Sequence, residues 1–232
     1  MPENQTDGGG LPLEYHLRRM PPVLETVQVP FREFDSTEHW NIPEGCPPLV
    51  FTRAVDGSTP RLATLLHLFR DETSLYLLFS GVDSTIVATM YGHDEPLWEE
   101  DVLEAFIAPS SLERYLELEV NPLGTLFDAE IHSPDGSRES MTADIAWACE
   151  GMWTSTRRVR RDTTGLWRFE TLLVLPFAGL GVDPPRSGER WRANFFRIDR
   201  DAELGDEYSS WRPTMRDPAD FHVPAAFGVL EF

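Results

Sequence analysis

The sequence predicts an all-β fold, an antiparallel β-sandwich of the immunoglobulin or jelly-roll type with about nine or ten strands. Short apolar runs recur along the chain, and turns rich in Gly, Pro, Asp and Ser separate them. No amphipathic helical pattern and no internal repeat interrupts this spacing. The chain has 232 residues, of which 41% are hydrophobic, so it is large enough to bury a core.

The predicted strands begin at residue 62 and follow one another along the chain. The segments Leu62–Phe69 and Ser74–Ser80 flank a short polar turn, which predicts a β-hairpin. The next predicted pair is Val102–Ala108 with Tyr115–Asn121. The remaining predicted strands are Leu126–His132, Ala143–Cys149, Trp167–Leu175, Trp191–Ile198 and Phe227–Phe232.

A single domain is predicted over residues 31–232, preceded by a loose N-terminal arm over residues 1–30. Prolines at positions 12, 21, 22 and 30 interrupt the arm too often for a helix. No linker-like stretch divides the remainder of the chain, so we expect one sandwich rather than two smaller domains.

The formal net charge is −19, because 39 acidic residues outnumber 20 basic ones, all of which are arginine. This charge argues against nucleic acid as a partner, since neutralised phosphates supply most of that affinity, and equally against an anionic membrane surface. The Arg-rich stretch 157–161 is therefore expected to protect an exposed edge strand. The start of the chain lacks a signal-peptide pattern, which predicts a cytoplasmic protein unless a leader was removed, so the compartment stays open.

Glu104 is the first residue whose position suggests a binding role. Along Val102–Ala108, side chains alternate between two faces, and Glu104 shares its face with apolar Val102 and Phe106. An unpaired buried charge is costly, so Glu104 needs a partner. We expect that partner to be Arg197, on the strand Trp191–Ile198.

The neighbouring strand and the preceding loop complete a candidate concave site. Glu117, Glu119 and Asn121 share the polar face of Tyr115–Asn121, and Glu117 or Glu119, with Asn121, could converge with Glu104 if the two strands pair. Trp98 lies in a polar loop that leads into the Glu104 strand. Polar groups beside an exposed aromatic ring suit a polyhydroxylated ligand, although Trp98 folded over the core is an equal alternative. The other tryptophans at 147, 153 and 167 are expected in the core.

Several short motifs occur in one order along about residues 30–232. The run Pro96–Ile107 (PLWEEDVLEAFI) resembles the W-E-x-D-x-x-E-x-F-I signature of the family 9 carbohydrate-binding modules. Other segments resemble the same family, namely Leu75–Asp83, Glu117–Pro122, Trp191–Phe195, Trp211–Thr214 and Phe221–Gly228.

The resemblance implies a non-catalytic β-sandwich that binds a mono- or oligosaccharide or the end of a polysaccharide, and that associates with glycoside hydrolases. In sugar-binding members, two tryptophans sandwich a terminal sugar and a carboxylate–amide cluster holds its hydroxyl groups. The first tryptophan corresponds to Trp98 and the glutamate to Glu104. The second tryptophan falls at Phe221, beside His222, which could add a polar contact.

Two further features follow from the resemblance. Glu119 stands where the family has a strand arginine, which is a departure that bears on the ligand. Asn194 and Arg197 lie on the matching strand and are carried over as candidate ligand contacts.

Three other interpretations remain at this point: a glycosidase, a haem domain and a calcium-binding domain. A glycosidase needs two carboxylates across a sugar bond, but acidic residues are abundant here and no hydrolase or phosphate-loop motif occurs, so we expect no catalysis. A haem domain would need axial ligands such as Met90, Met141 or His132, which are more simply core or surface residues.

No cofactor is expected, but a structural calcium ion stays open because hard oxygen ligands suit Ca²⁺. A degenerate sandwich that holds such an ion and binds no sugar is the alternative function. The acidic residues that could form the site are Asp83, Asp94, Glu95, Glu99, Glu100 and Asp101.

Overall fold

The computed structural model describes residues 24–36, 40–160 and 165–232, except for the side chains of Val159 and Arg160. Within these ranges the chain forms fourteen strands and two short 3₁₀ turns, Leu97–Glu99 and Pro224–Ala226. None of the described helical segments is long and apolar enough to span a bilayer. The strands are β1 (Thr26–Gln28), β2 (Leu49–Val50), β3 (Thr52–Arg53), β4 (Thr64–Arg70), β5 (Ser74–Asp83), β6 (Val102–Ser111), β7 (Arg114–Val120), β8 (Leu126–His132), β9 (Thr142–Asp144), β10 (Trp153–Arg160), β11 (Trp167–Pro176), β12 (Arg190–Asp199), β13 (Glu207–Ser210) and β14 (Gly228–Glu231).

The strands form two sheets arranged as a sandwich, which confirms the predicted fold class. The larger sheet has nine strands, in the order β1-β14-β12-β6-β7-β8-β9, and β13 and β3 extend it beside β12. The smaller sheet has five strands in the order β10-β11-β5-β4-β2. Its pairs are antiparallel, and so are those of the larger sheet except β1 with β14.

The main hydrophobic core lies between the two sheets. It contains alternate residues of the central strands, among them Leu77 of β5, Leu118 of β7 and Phe195 of β12, each with no exposed surface. Burial of this apolar surface is the main source of stability, at about 25 cal/mol per Å². The two cysteines, Cys46 and Cys149, are buried and free.

The hairpin β4–β5 and the pair β6–β7 are formed as predicted. The oxygen Oδ1 of Asp71 closes the β4–β5 turn by accepting the backbone N–H groups of Thr73 and Ser74. The Arg-rich strand β10 lies at a sheet edge, and Arg157 is ion-paired with Glu170 on β11, while Arg161 of the same stretch lies outside the described residues.

The observed strands differ from the predicted set mainly where they are short. Strands β1, β2, β3 and β13 have four residues or fewer, too few for an alternating pattern to be visible. The predicted strand Ala143–Cys149 is reduced to β9, and the rest of it forms turns. Residues 1–23 of the predicted arm lie outside the described residues, while β1, inside the arm, pairs with β14.

Two tryptophans expected in the core are not buried. Trp153 and Trp167, on β10 and β11, are 39% and 36% exposed, whereas Trp147 packs against the main core. Each of the two residues begins its strand, and β10 and β11 lie at and next to the edge of the smaller sheet.

Gly228, at the start of β14, is needed because the buried indole of Trp211 lies against its backbone. A Cβ atom added at Gly228 would sit 2.3 Å from Cη2 of Trp211. We expect Gly228→Ala to lower the free energy of unfolding by about 1–3 kcal/mol, as overpacking does. Urea unfolding measures this change. Gly92→Ala is the matched control, because its neighbour is the flexible side chain of Glu95, and an equal cost for both variants would contradict the explanation.

Candidate functional site

A groove of about 720 Å³ opens on the outer face of the larger sheet, away from the main core. Strands β6, β7, β8 and β12 supply its floor, and its rim comes from the loop before β6, the segment 138–145 and the segment 216–222. Aromatic, charged and aliphatic side chains line it together, as is common in small-molecule sites.

The alternation predicted for β6 is what places a carboxylate on the groove floor. Glu104 points to the groove side with Val102 and Phe106, which belong to the apolar cluster beneath the groove. The residues between and after them face the main core; they are Leu103, Ala105 and Ile107.

Trp98 lies at the rim, on the 3₁₀ turn Leu97–Glu99, and its indole is 42% exposed. The turn is held in place by the fully buried side chain of Leu97 and by a hydrogen bond that Arg200 donates to the Trp98 carbonyl. The indole also meets Phe127 edge-to-face, with ring centroids 5.2 Å apart. The residue is therefore partly exposed while one side of its ring packs on Phe127, a buried member of the apolar cluster beneath the groove.

Arg200 and Tyr208 form a part of the site that sequence reasoning missed. Arg200 follows β12, and its Nη1 donates to the Tyr208 hydroxyl at 2.8 Å and to Asp206 at 2.5 Å. Together with the bond to Trp98, these contacts connect the loop before β6 to β13. No local motif marks either residue, because their proximity depends on the pairing of β12 with β13.

Phe221 and His222 line the groove as adjacent residues of the same rim segment. The Phe221 ring is 8% exposed and stacks on Phe196, with centroids 4.2 Å apart and an interplanar angle of 15°. His222 Nδ1 lies 2.8 Å from the Tyr115 hydroxyl. Burial lowers the pKa of His222 to about 4, so the imidazole is neutral at pH 7.

Three glutamates converge at the floor of the groove: Glu104, Glu117 and Glu119. Glu104 and Glu119 are register partners across β6 and β7, and Glu117 lies two residues away on the same face. Burial, followed by the repulsion of neighbouring carboxylates, holds the pKa of Glu104 and of Glu119 well above the usual range. Burial raises the pKa of Glu117 to about 7.

The expected pair between Glu104 and Arg197 is wrong. Arg197 points to the opposite side of β12, into the space between the sheets, where Nη2 lies 2.8 Å from both Asp83 and Asp199. Its neighbour Phe196 takes the groove side instead. Because both faces of this central strand are buried, the sequence pattern did not reveal which way the arginine points.

Asn121 and Asn194, predicted as ligand contacts, lie away from the groove, and their side chains hold backbone segments in place. The oxygen Oδ1 of Asn121 accepts the N–H groups of Leu123 and Thr125, which closes the turn before β8. Asn194 exchanges two hydrogen bonds with the backbone of Arg212. Neither asparagine lines the groove, and Glu119 lies beneath its floor with no exposed surface.

The acidic loop considered for calcium does not form one site. Glu100 accepts hydrogen bonds from Thr89, and Asp101 accepts the backbone N–H groups of Val87 and Arg200. Asp94 instead joins a separate, largely exposed group with His93 and Asp128.

The chain matches the family model described as "Carbohydrate-binding family 9" over residues 22–232. It is 26% identical over 196 residues to an extracellular protein of Arthroderma benhamiae, an alignment that covers 78% of this chain and 84% of that protein.

Solved structures share the fold at low sequence identity. A candidate carbohydrate-binding protein from Bacteroides uniformis superposes with a TM-score of 0.70 at 17% identity, covering 90% of this chain and 99% of that one. A family 9 module from Caldicellulosiruptor kristjanssonii, in complex with cellotriose, has a TM-score of 0.58 at 14% identity, covering 89% and 93%. The same organism's module in complex with glucose gives 0.55 at 14%, covering 89% and 95%.

Proposed function

This chain belongs to carbohydrate-binding family 9, and from that membership we propose that its groove binds a sugar, with Trp98 as the stacking surface. The observation that carries the proposal is a tryptophan, 42% exposed, at the rim of a groove whose floor carries two carboxyl groups among apolar side chains. Sugar C–H groups pack on aromatic rings, and hydroxyl groups need hydrogen-bond partners. Modules of this family from Caldicellulosiruptor kristjanssonii were solved with cellotriose and with glucose, which supports a glucose-type ligand.

The groove supplies partners for hydroxyl groups on two sides. Glu104 and Glu117 reach it from the floor, where a carboxylate accepts and a carboxylic acid donates. Asp220 and Arg138, which are ion-paired at 3.0 Å, stand at the rim. Phe221 offers little ring surface to a ligand, because it is 8% exposed, Phe196 stacks on one of its faces and Tyr208 makes an edge contact with it. We therefore propose one stacking surface in this chain rather than a sandwich of two rings.

The same carboxylates support binding without catalysis. The cluster oxygens lie within 4.8 Å of one another on one buried floor. A glycosidase instead places two carboxyl groups on opposite sides of the scissile bond, about 5–10 Å apart. Association with a glycoside hydrolase remains a proposal that family membership alone supports.

We expect Trp98→Ala to weaken sugar binding at least tenfold, because stacking supplies a large part of the contact area. A glycan array selects the ligand, beginning with glucose and cellotriose, and calorimetric titration then compares the variants. Thermal unfolding of Trp98→Ala should stay close to that of the wild type, since much of the indole is already solvated.

The matched control is Trp153→Ala, which removes an indole of similar exposure from the opposite sheet. Its affinity should equal that of the wild type. Undiminished binding by Trp98→Ala would refute the stacking role. If the wild-type protein binds no glycan on the array, the result favours the alternative hypothesis that this β-sandwich has lost sugar binding.

A further inference from the structure

The three glutamates under the groove have the spacing of ligands around one ion. Each offers one carboxylate oxygen, and the three oxygens lie within 4.8 Å of one another. Oxygen ligands bind Ca²⁺ at 2.3–2.6 Å, so oxygens on opposite sides of such an ion are separated by up to about 5 Å. A single cation therefore fits among Glu104, Glu117 and Glu119 without a change of backbone.

Glu119 adds a second, independent observation. Its side chain has no exposed surface, and among the described residues no N–H group or hydroxyl donates a hydrogen bond to either of its carboxyl oxygens. A buried polar group without a partner costs roughly 1–3 kcal/mol, and more when it is charged. One of these oxygens lies in the cluster, where the neighbouring Glu117 can offer a hydrogen bond only by keeping a proton.

Within the described part of the chain, Arg200 and Arg138 lie near enough to lower the pKa of Glu104 and of Glu117 slightly, but burial outweighs them. None of the described arginines forms an ion pair with the three glutamates. Arg138 is paired with Asp220, and Arg200 with Asp206. His222 Nε2 lies 3.7 Å from Glu117, but the imidazole is neutral at pH 7.

We propose that Glu104, Glu117 and Glu119 bind a divalent cation of the kind that prefers oxygen ligands, at the floor of the groove. Three carboxylates suit Ca²⁺ or Mn²⁺ better than Zn²⁺, which favours nitrogen and sulfur ligands. Glu104 and Glu117 line the groove, so the ion can enter from solvent and complete its coordination with water. Glu104 and Glu117 are also the floor contacts proposed for sugar hydroxyl groups, so the cation is tested below in the absence of sugar.

The test is thermal unfolding of the full chain after removal of metal with chelator. Adding CaCl₂ or MnCl₂ at about a hundred times its Kd should raise the Tm by about 5 °C or more. The isosteric variant Glu119→Gln should show at least a tenfold weaker Kd in calorimetric titration and lose most of the shift. If Glu119→Gln fails to fold, Glu117→Gln provides the same comparison.

The control variant is Asp128→Asn, which alters the other acidic group, formed with His93 and Asp94. It should keep the full metal-dependent shift. A wild-type protein that shows no shift with either ion overturns the proposal and indicates that protons occupy the cluster. A shift that survives Glu119→Gln, or that disappears in Asp128→Asn, overturns it as well, because the ion then binds elsewhere.

Discussion

Replacing Arg197 with methionine is expected to lower the free energy of unfolding by about 3–5 kcal/mol, the usual cost of removing one partner from a buried ion pair. The Arg197 side chain is 4% exposed, and Nη2 lies 2.8 Å from both Asp83 Oδ2 and Asp199 Oδ1. Its Nη1 donates to the Val82 carbonyl. Methionine fills much of the same volume but leaves the buried Asp83 without a cation, and Asp199 with only Arg61, whose Nη2 lies 3.8 Å away.

This loss should depend on pH. Burial raises the pKa of Asp83 to about 6 even with Arg197 beside it. In the folded state, Asp83 therefore keeps its proton to a higher pH than in the unfolded chain. A folded-state pKa above the unfolded value gives stability that is present at low pH and is lost as pH rises through the folded value. Without the arginine this pKa rises further, so the deficit should be larger at about pH 8 than at about pH 5.

Urea unfolding at both pH values measures the effect, and Arg190→Met is the matched control. Arg190 is ion-paired with Glu231, but its side chain is 65% exposed, so its loss should cost about 0.5 kcal/mol or less. Sugar affinity should be unchanged in both variants. Equal costs for the two arginines would contradict the buried ion-pair explanation.

Arg197 also illustrates what the sequence could not provide. Alternation in β6 predicted the direction of Glu104 correctly because a charged side chain stood between apolar ones on one face. Strand β12 is central and covered on both faces, so alternation there carries no such signal. A charged residue in the main core could only be recognised with its partners, and Asp83 is 114 positions away in the chain.

Local signals explain which other predictions were confirmed. The hairpin β4–β5 and the pair β6–β7 join segments that are adjacent in sequence, and turn residues mark their ends. The link from Arg200 to Tyr208 and Trp98 depends instead on the order of strands in the sheet. Asn121 looked like a ligand contact because it continues the polar face of β7, but a residue at a strand end is also well placed to close a turn.

The carboxyl cluster leads to the second prediction. In chelator, the protein is expected to lose stability as the pH rises from about 5 to about 8. Glu117 titrates near 4.5 in the unfolded chain, whereas burial raises its pKa to about 7 in the folded one. Between these values the folded state holds a proton that the unfolded state has released, so deprotonation favours unfolding. Each pKa unit corresponds to about 1.36 kcal/mol, so the loss from the cluster as a whole should be about a few kcal/mol.

Urea unfolding over this pH range should therefore give a falling curve for the wild type and a flatter one for Glu119→Gln. The amide carries no charge and can donate hydrogen bonds to Glu104 and Glu117, so the variant should be more stable than the wild type at about pH 8. Burial raises the pKa of Asp101 to about 7 as well, which adds a slope of the same sign to both proteins. The difference between the two curves isolates the cluster. The control is Glu113→Gln, in the exposed β6–β7 turn, which should reproduce the wild-type curve. If the stability of Glu119→Gln falls with pH as steeply as that of the wild type, the responsible groups lie outside the groove floor.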